Sequence, residues 1–270
     1  MRIFRATFSA AVIASAAALV TAVAPVSAAG AATAVTYVAL GDSYSSGVGA
    51  GSYISSSGSC ERSTKAFPEQ WAAAHSAASF VSVACSGATT ADVLSSQVSA
   101  LSASTTLVSI TIGGNDAGFS RVMETCVLTS TSTCLSTVSA AETFVADQLP
   151  GRLDATLQAI RARAPYAKIV VLGYPHLYDL SRSGSCIGLS TMDRTALNQG
   201  ADALDSALTA AAAANRDTYG DVRSQFAGHE ICDSASWLNS VDIFAFSSSY
   251  HPTAAGQELG YLPVFTAAAG

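Results

Sequence analysis

Charge is the scarcest ingredient of this chain. Asp, Glu, Lys and Arg together make up 12% of its 270 residues, about half the usual share. The 13 basic residues are outnumbered by 19 acidic ones and gather into no patch or stripe, which excludes a nucleic-acid footprint. No Cys-x-x-Cys pair occurs among the six cysteines, and no histidine stands at ligand spacing from them. A zinc site is therefore excluded, and neither a metal nor an organic cofactor is expected. Beyond the N-terminus no apolar run is long enough to cross a bilayer. Internal repeats and interdomain linkers are also lacking, so one large domain is expected.

The N-terminus carries an address. Arg2 and Arg5 precede an apolar run from Phe8 to about Ala24, followed by the small residues Val26-Ser27-Ala28 and Ala29-Gly30-Ala31. This is the layout of a secretory signal peptide. A membrane anchor is the competing reading, but the run is short for a spanning helix and ends in cleavable residues. The expectation is a leader over 1–32, cut between 28 and 34, and a single mature domain over 33–270. That domain is expected to be extracellular and monomeric, with no integral membrane segment. Losing Arg2 and Arg5 leaves 11 basic against 19 acidic residues. A low-charge surface rich in Ser, Thr and Ala suits work near apolar material. In a secreted chain six cysteines imply disulfides; of the 15 possible connectivities, the sequential one is expected: Cys60–Cys85, Cys126–Cys134 and Cys186–Cys232. The middle pair would clip Val127 to Thr133, a Ser/Thr-rich stretch with little to pack.

Periodicity gives strands alternating with helices. Strands are read at Val35–Leu40, Phe80–Ala84, Leu107–Ile112 and Lys168–Leu172, with a weak fifth at Val222–Phe226. Helices are read at Ala66–His75, from about Thr90, over Ala140–Ala164 with a break near Pro150, over Met192–Asn215, and from Thr253 to about Tyr261. Such alternation makes a three-layer α/β/α sandwich around a parallel sheet of about five strands.

The stretch that organises the rest is Val35-Thr36-Tyr37-Val38-Ala39-Leu40-Gly41-Asp42-Ser43. It reads as a buried strand stopping at a tight turn, with a hydroxyl held at the sheet's C-terminal edge, where open α/β sheets bind ligands. On this stretch alone Ser43 is either a nucleophile or a helix N-cap. Two more strands end in small or polar residues, at Ser86-Gly87-Ala88 and Gly113-Gly114-Asn115-Asp116, and Ser249-Tyr250-His251-Pro252 precedes the last helix. Acyl transfer needs a nucleophile, a base and donors aimed at an oxyanion. Ser43, His251, the Gly87 N–H and the Asn115 amide supply those kinds of group. Phe119, Val122 and Met123 follow at helical spacing and either line an acyl groove or pack in the core.

In these blocks the chain resembles the SGNH (GDSL-type) hydrolase superfamily. Gly41-Asp42-Ser43-Tyr44-Ser45 matches the first block, with Tyr44 where Leu is common. Gly87 matches the second, Gly113-Gly114-Asn115-Asp116 the third and His251-Pro252 the fourth. With its cysteines the chain is similar to the secreted bacterial lipases and phospholipases A1 of that superfamily. The resemblance implies a flavodoxin-like fold, a lipid or other acyl-ester substrate, and catalysis by Ser43 and His251. It also implies an oxyanion hole made of the Ser43 N–H, the Gly87 N–H and the Asn115 side chain. The family often has Asp three residues before the histidine, and here that position is Ser248. A main-chain carbonyl of Ser248 or Ser249 is expected to orient His251 instead, with Asp242 or Asp233 as the rival that would complete a triad. His176, after the fourth strand, is the rival base; His75 reads as solvated and His229 as structural. Asp42 and Asp116 read as turn acceptors. Short-chain or sugar-linked acyl esters, or a non-catalytic binding role, are the alternatives to lipid ester hydrolysis.

Overall fold

The computed structural model describes residues 1–4, 6–7, 9–11, 34–182, 188–242 and 246–270. The chain divides into 1–33 and 34–270. The described part of the first unit is exposed and carries no helix or strand. Within the second, β1 (Thr36–Gly41) leads into the one-turn helix α1 (Ser43–Ser46), followed by α2 (Phe67–Ala74), β2 (Ser79–Ser82) and α3 (Thr90–Ser95). Then come β3 (Leu107–Thr111), α4 (Phe119–Leu128), α5 (Thr131–Asp147), α6 (Leu149–Arg163) and β4 (Lys168–Leu172). The chain closes with α7 (Thr191–Asn215), β5 (Thr218–Gly220), a helical turn α8 (Arg223–Phe226), and a π-turn (Gly256–Tyr261) running into α9 (Leu262–Ala269).

The five strands pair in parallel in the order β2-β1-β3-β4-β5. Alternate residues of each strand face opposite layers. Tyr37 and Ala39 of β1 join Phe67, Trp71 and Phe265 from α2 and α9 on one face. Val38 and Leu40 join Val93, Leu153, Leu157, Ile160 and Leu208 from α3, α6 and α7 on the other. A sheet covered on both faces reads as the near-continuous apolar runs of β1, β3 and β4. The strand order reverses between β1 and β3, and doubly wound sheets open a ligand crevice at such a switch point, outside the strands' carboxyl ends.

Three expectations need correction. Val222–Phe226 is no strand: β4 pairs with Thr218–Gly220. There the Asp221 carboxylate accepts the Arg223 N–H at 2.9 Å and starts the helical turn that buries Phe226. The C-terminal helix runs on past Tyr261 to Ala269. The helix expected from Ala140 already begins at Thr131, so the Ser/Thr-rich stretch 127–133 holds the end of α4 and the start of α5, whose N-cap Ser130 accepts from the Thr133 N–H. Pro150 sits in the first turn of α6, where its missing N–H costs nothing, and α5 ends just before it. Disulfides join Cys60 to Cys85 and Cys126 to Cys134. The third expected pair falls on Cys186, which lies outside the described residues. Among the described residues no helix is long and apolar enough to cross a membrane.

Candidate active site

Gly41 ends β1 with φ +121°, a conformation that needs glycine, and a Cβ there would run into the Thr111 carbonyl. The Gln97 amide brackets its peptide groups, accepting the Gly41 N–H at 2.7 Å and donating to the Gly41 carbonyl at 2.9 Å. The next residue caps α1. Asp42 accepts the Tyr44 N–H at 3.0 Å and the Thr111 hydroxyl at 2.7 Å through Oδ1, and the Tyr174 hydroxyl through Oδ2. Burial pushes the Asp42 carboxyl up to about 6, and these donors pull the other way. Because Asp42 is the N-cap, Ser43 is the first residue inside the helix. Its hydroxyl caps nothing and instead pairs with His251.

The Ser43 Oγ lies 2.7 Å from His251 Nε2, and His251 Nδ1 lies 3.0 Å from the Ser249 carbonyl oxygen. A carbonyl can only accept, so Nδ1 carries the ring proton and Nε2 offers its lone pair to the Ser43 hydroxyl. The histidine is held by its backbone. Asn239 accepts the Tyr250 N–H at 2.8 Å and donates to the His251 carbonyl at 2.9 Å from both its main-chain N–H and its amide. Tyr44 donates from its hydroxyl to the Tyr250 carbonyl at 2.8 Å, and its ring lies 5.3 Å from the imidazole. Between them Tyr250 adopts φ +65°, a left-handed conformation that an aromatic residue keeps only when its neighbours fix it.

Burial moves the His251 pKa down from 6.5 to about 4, and the carbonyls of Ser249 and Ser248 pull it back only in part. Among the described residues no carboxylate is hydrogen-bonded to the ring. Asp233 pairs with Arg182 at 2.7 Å and accepts the Glu230 N–H, while Asp242 meets the histidine strap through its main-chain N–H, 2.8 Å from Ser249 Oγ. The Ser248 carbonyl accepts the His251 main-chain N–H at 3.3 Å, and the Ser249 carbonyl is the one at hydrogen-bond distance from Nδ1. A base works only when unprotonated, so its capacity is kept above its pKa and lost as pH falls through it. The expected result is a His251 ring-proton NMR titration with its midpoint near 4. A midpoint of 6.5 or above means that a negative charge faces the ring.

The turns after β2 and β3 are stitched together beside Ser43. Asn115 donates one amide hydrogen to the Ala88 carbonyl at 3.0 Å, and Asp116 accepts the Thr90 N–H at 2.9 Å and its hydroxyl at 2.5 Å. Asn115 lines one small pocket with Ser43, Tyr44, Phe119, Met123, Tyr250 and His251. Gly87 does not line that pocket; it lines another cleft, next in sequence to Ala88, whose carbonyl accepts from Asn115. Space does not demand glycine there, since a Cβ would meet nothing within 4 Å; its φ of +78° does. Among the described residues neither the Ser43 N–H nor the Gly87 N–H has an acceptor. Of the three apolar residues after Asn115, Phe119 and Met123 line the pocket and Val122 is core.

The other histidines are occupied elsewhere. His176 Nε2 lies 2.8 Å from Asp202, His75 stacks on Trp71 at 4.3 Å, and His229 stacks on Trp237 at 3.7 Å. Among the described residues no group of three His, Cys, Asp or Glu is placed to hold a metal. Sequence reasoning passed over Tyr44, Tyr174 and Tyr250 as parts of the site. The only signal was Tyr44 itself, as the departure from the common first block.

Residues 39–259 match the GDSL-like lipase/acylhydrolase family. Lipase 1 of Streptomyces coelicolor is 56% identical over 270 residues, the full length of both chains. A crystal structure of phospholipase A1 from Streptomyces albidoflavus is 56% identical with a TM-score of 0.85, covering 87% of this chain and 100% of its own. An extracellular lipase from Streptomyces rimosus, also crystallised, is 53% identical with a TM-score of 0.84 over the same shares.

Proposed function

The chain belongs to the GDSL-like lipase/acylhydrolase family, and from that premise we propose that Ser43 and His251 hydrolyse lipid carboxylic esters through an acyl-enzyme, without a third carboxylate. The observation that carries this is the chain of two hydrogen bonds, Ser43 Oγ to His251 Nε2 at 2.7 Å and His251 Nδ1 to the Ser249 carbonyl at 3.0 Å. Ser43 Oγ attacks the ester carbonyl carbon as its proton passes to Nε2. The carbonyl oxygen becomes an oxyanion, held by the Ser43 N–H, the Gly87 N–H and the second Asn115 amide hydrogen. Among the described residues these donors have no competing acceptor. When the carbonyl reforms, the C–O bond to the alcohol breaks and the alcohol leaves with the proton from Nε2. Water repeats the sequence on the acyl-enzyme and releases the fatty acid. Throughout, the Ser249 carbonyl keeps the tautomer fixed and Nε2 facing Ser43.

The test of the serine is covalent labelling. A serine-reactive phosphonate is expected to add its mass at Ser43 in the intact protein, with loss of turnover on a triacylglycerol, a phospholipid and a soluble ester alike. Labelling elsewhere with activity lost overturns the assignment. Asn115 gives a second test. Asn115→Ala is expected to lower kcat by roughly 10²–10³-fold with KM little changed, because its donor acts on charge that develops only in the transition state. If KM alone rises, Asn115 binds the ground state and its role here is wrong.

We also propose export, with residues 1–32 as the leader. The charged-apolar-small order of the first 31 residues supports it, as does the extracellular lipase of Streptomyces rimosus among the relatives. N-terminal sequencing of culture-medium protein is expected to begin between residues 29 and 35, following a cut between 28 and 34.

A further inference from the structure

Tyr44 stands next to the nucleophile in sequence, and its side chain reaches the strap that carries the base. Its N–H donates to Asp42 Oδ1 at 3.0 Å, and its carbonyl accepts the Gln257 amide at 3.0 Å. Gln257 is wholly buried and also accepts the Phe67 N–H at 3.0 Å. The Tyr44 ring meets Tyr174 edge-on, with centroids 4.9 Å apart, and Tyr261 at 6.1 Å. Backbone and ring are thus both fixed, and the hydroxyl projects from a rigid support. It donates to the Tyr250 carbonyl at 2.8 Å. Among the described residues no other group donates to that carbonyl.

What that bond controls follows from the peptide plates on either side of Tyr250. A trans peptide points its C=O and N–H in opposite directions. In the plate before Tyr250, the Ser249 carbonyl meets His251 Nδ1 at 3.0 Å and the Tyr250 N–H meets the Asn239 carbonyl at 2.8 Å. In the plate after it, the Tyr250 carbonyl meets the Tyr44 hydroxyl, and the His251 N–H makes only a long bond of 3.3 Å to Ser248. The φ of Tyr250 sets one plate against the other, and at +65° it is a value that an aromatic residue leaves when nothing holds it. Any change in that φ turns the Ser249 carbonyl relative to the His251 ring. Resting on the Ser43–His251 reading above, we propose that Tyr44 is a positioning residue: by holding the Tyr250 carbonyl, its hydroxyl keeps the Ser249 carbonyl on Nδ1. One turn of helix then carries both the nucleophile and the group that aims its base. The Tyr44 ring lies 5.3 Å from the imidazole and lines the Ser43 pocket, so packing on the base and contact with substrate are the competing roles.

The test is Tyr44→Phe in the full-length mature enzyme, which removes the hydroxyl and keeps the ring. Two properties are measured near pH 8, where the imidazole is neutral: kinetics on p-nitrophenyl butyrate, and the His251 ring-nitrogen NMR spectrum of the resting protein. In Tyr44→Phe, kcat is expected to fall roughly 10–100-fold with KM little changed, the size of loss that a small misplacement of a catalytic group brings. The wild-type spectrum is expected to show one tautomer, protonated on Nδ1, and the Tyr44→Phe spectrum a mixture of two. Tyr178→Phe is the comparison. The Tyr178 hydroxyl bonds the Tyr250 side chain at 3.0 Å and not its carbonyl, so its loss is expected to leave kcat and the ring spectrum as in wild type. The proposal is overturned if Tyr44→Phe keeps the wild-type kcat, or if kcat falls while the ring spectrum stays unchanged. A rise in KM alone overturns it too, since Tyr44 then touches substrate. So does an equal mixing of tautomers in Tyr178→Phe, or a Tyr44→Phe chain that does not fold, because the hydroxyl then supports the fold and not the histidine. A wild-type enzyme without turnover, or with mixed tautomers, is a different result: it overturns the hydrolase reading first and this inference with it.

Discussion

Ser43→Ala is expected to remove turnover on an activated ester by about 10⁴-fold or more while leaving the thermal midpoint almost unmoved. The two halves of that expectation come from the same geometry. Among the described residues the Ser43 side chain makes one hydrogen bond, to His251. The bonds that hold the turn are to its carbonyl, which accepts the Gly47 and Val48 N–H groups at 3.0 Å and survives the substitution. The helix cap belongs to Asp42 and is untouched. Loss of one net hydrogen bond costs about 0.5–1.5 kcal/mol, and the Nε2 left behind borders a pocket that water can enter. For chemistry the loss is total, because no other hydroxyl or thiol stands against His251 Nε2 among the described residues. The activity that remains reports the oxyanion donors and binding alone. Near-normal turnover with a normal midpoint would mean that Ser43 is not the nucleophile. A large fall in midpoint would mean that the turn depends on its side chain.

How much of this was legible in the sequence depends on the range of the interaction. The ends of β1 and β3 are written locally, in apolar runs that stop at Gly41 and Gly113, and the helices around Pro150 follow from apolar spacing and a missing N–H from Ala140 onward, but not the start of α5 at Thr131. The parallel sheet follows from alternation, but the order β2-β1-β3-β4-β5 does not, since neighbours in a sheet are chosen by packing. β5 was misplaced for a local reason. Val222 and Phe226 look like strand residues, yet the Asp221 carboxylate accepts the Arg223 N–H where a helical turn begins, and the three-residue Thr218–Gly220 is too short to show a period. At the site, Asp42 and Ser43 are both good caps by type. Only the coordinates assign the cap to Asp42 and leave Ser43 for His251. Gly87 is named by its family block, whereas its positive φ is what requires glycine there. The contacts from Tyr44 to Tyr250 and from Tyr174 to Asp42 join residues more than a hundred positions apart, and no pattern of spacing encodes them. The absence of Asp at 248, by contrast, is a one-residue fact, and it left a main-chain carbonyl, with Asp242 or Asp233 as rivals, to orient His251.

That absence yields the prediction that separates two mechanisms. His251→Ala is expected to cost nearly as much as Ser43→Ala, because nucleophile and base act as one unit and their effects do not add. Asp233→Asn and Asp242→Asn are each expected to cost well under tenfold in kcat/KM. In a triad, changing the orienting carboxylate to its amide costs about 10⁴-fold, by favouring the wrong tautomer. Here the Ser249 carbonyl is the group against Nδ1, and an amide elsewhere cannot alter it. Asp233→Asn does remove an ion pair: its partner is Arg182 at 2.7 Å, and its side chain is almost wholly buried. Its effect belongs in the thermal midpoint and not in kcat. Ser248→Ala is expected to be mild, since its carbonyl and not its hydroxyl accepts the His251 N–H. A carbonyl gives the imidazolium only a partial charge, so the folded enzyme holds His251 neutral down to about pH 4, where a carboxylate would have raised that value. Assays of all four variants near pH 8 keep the imidazole neutral under either mechanism, and any difference among them then reports orientation alone. A loss of 10³-fold or more in either Asp→Asn variant, with its midpoint intact, restores the triad and removes Ser249 from the role assigned to it.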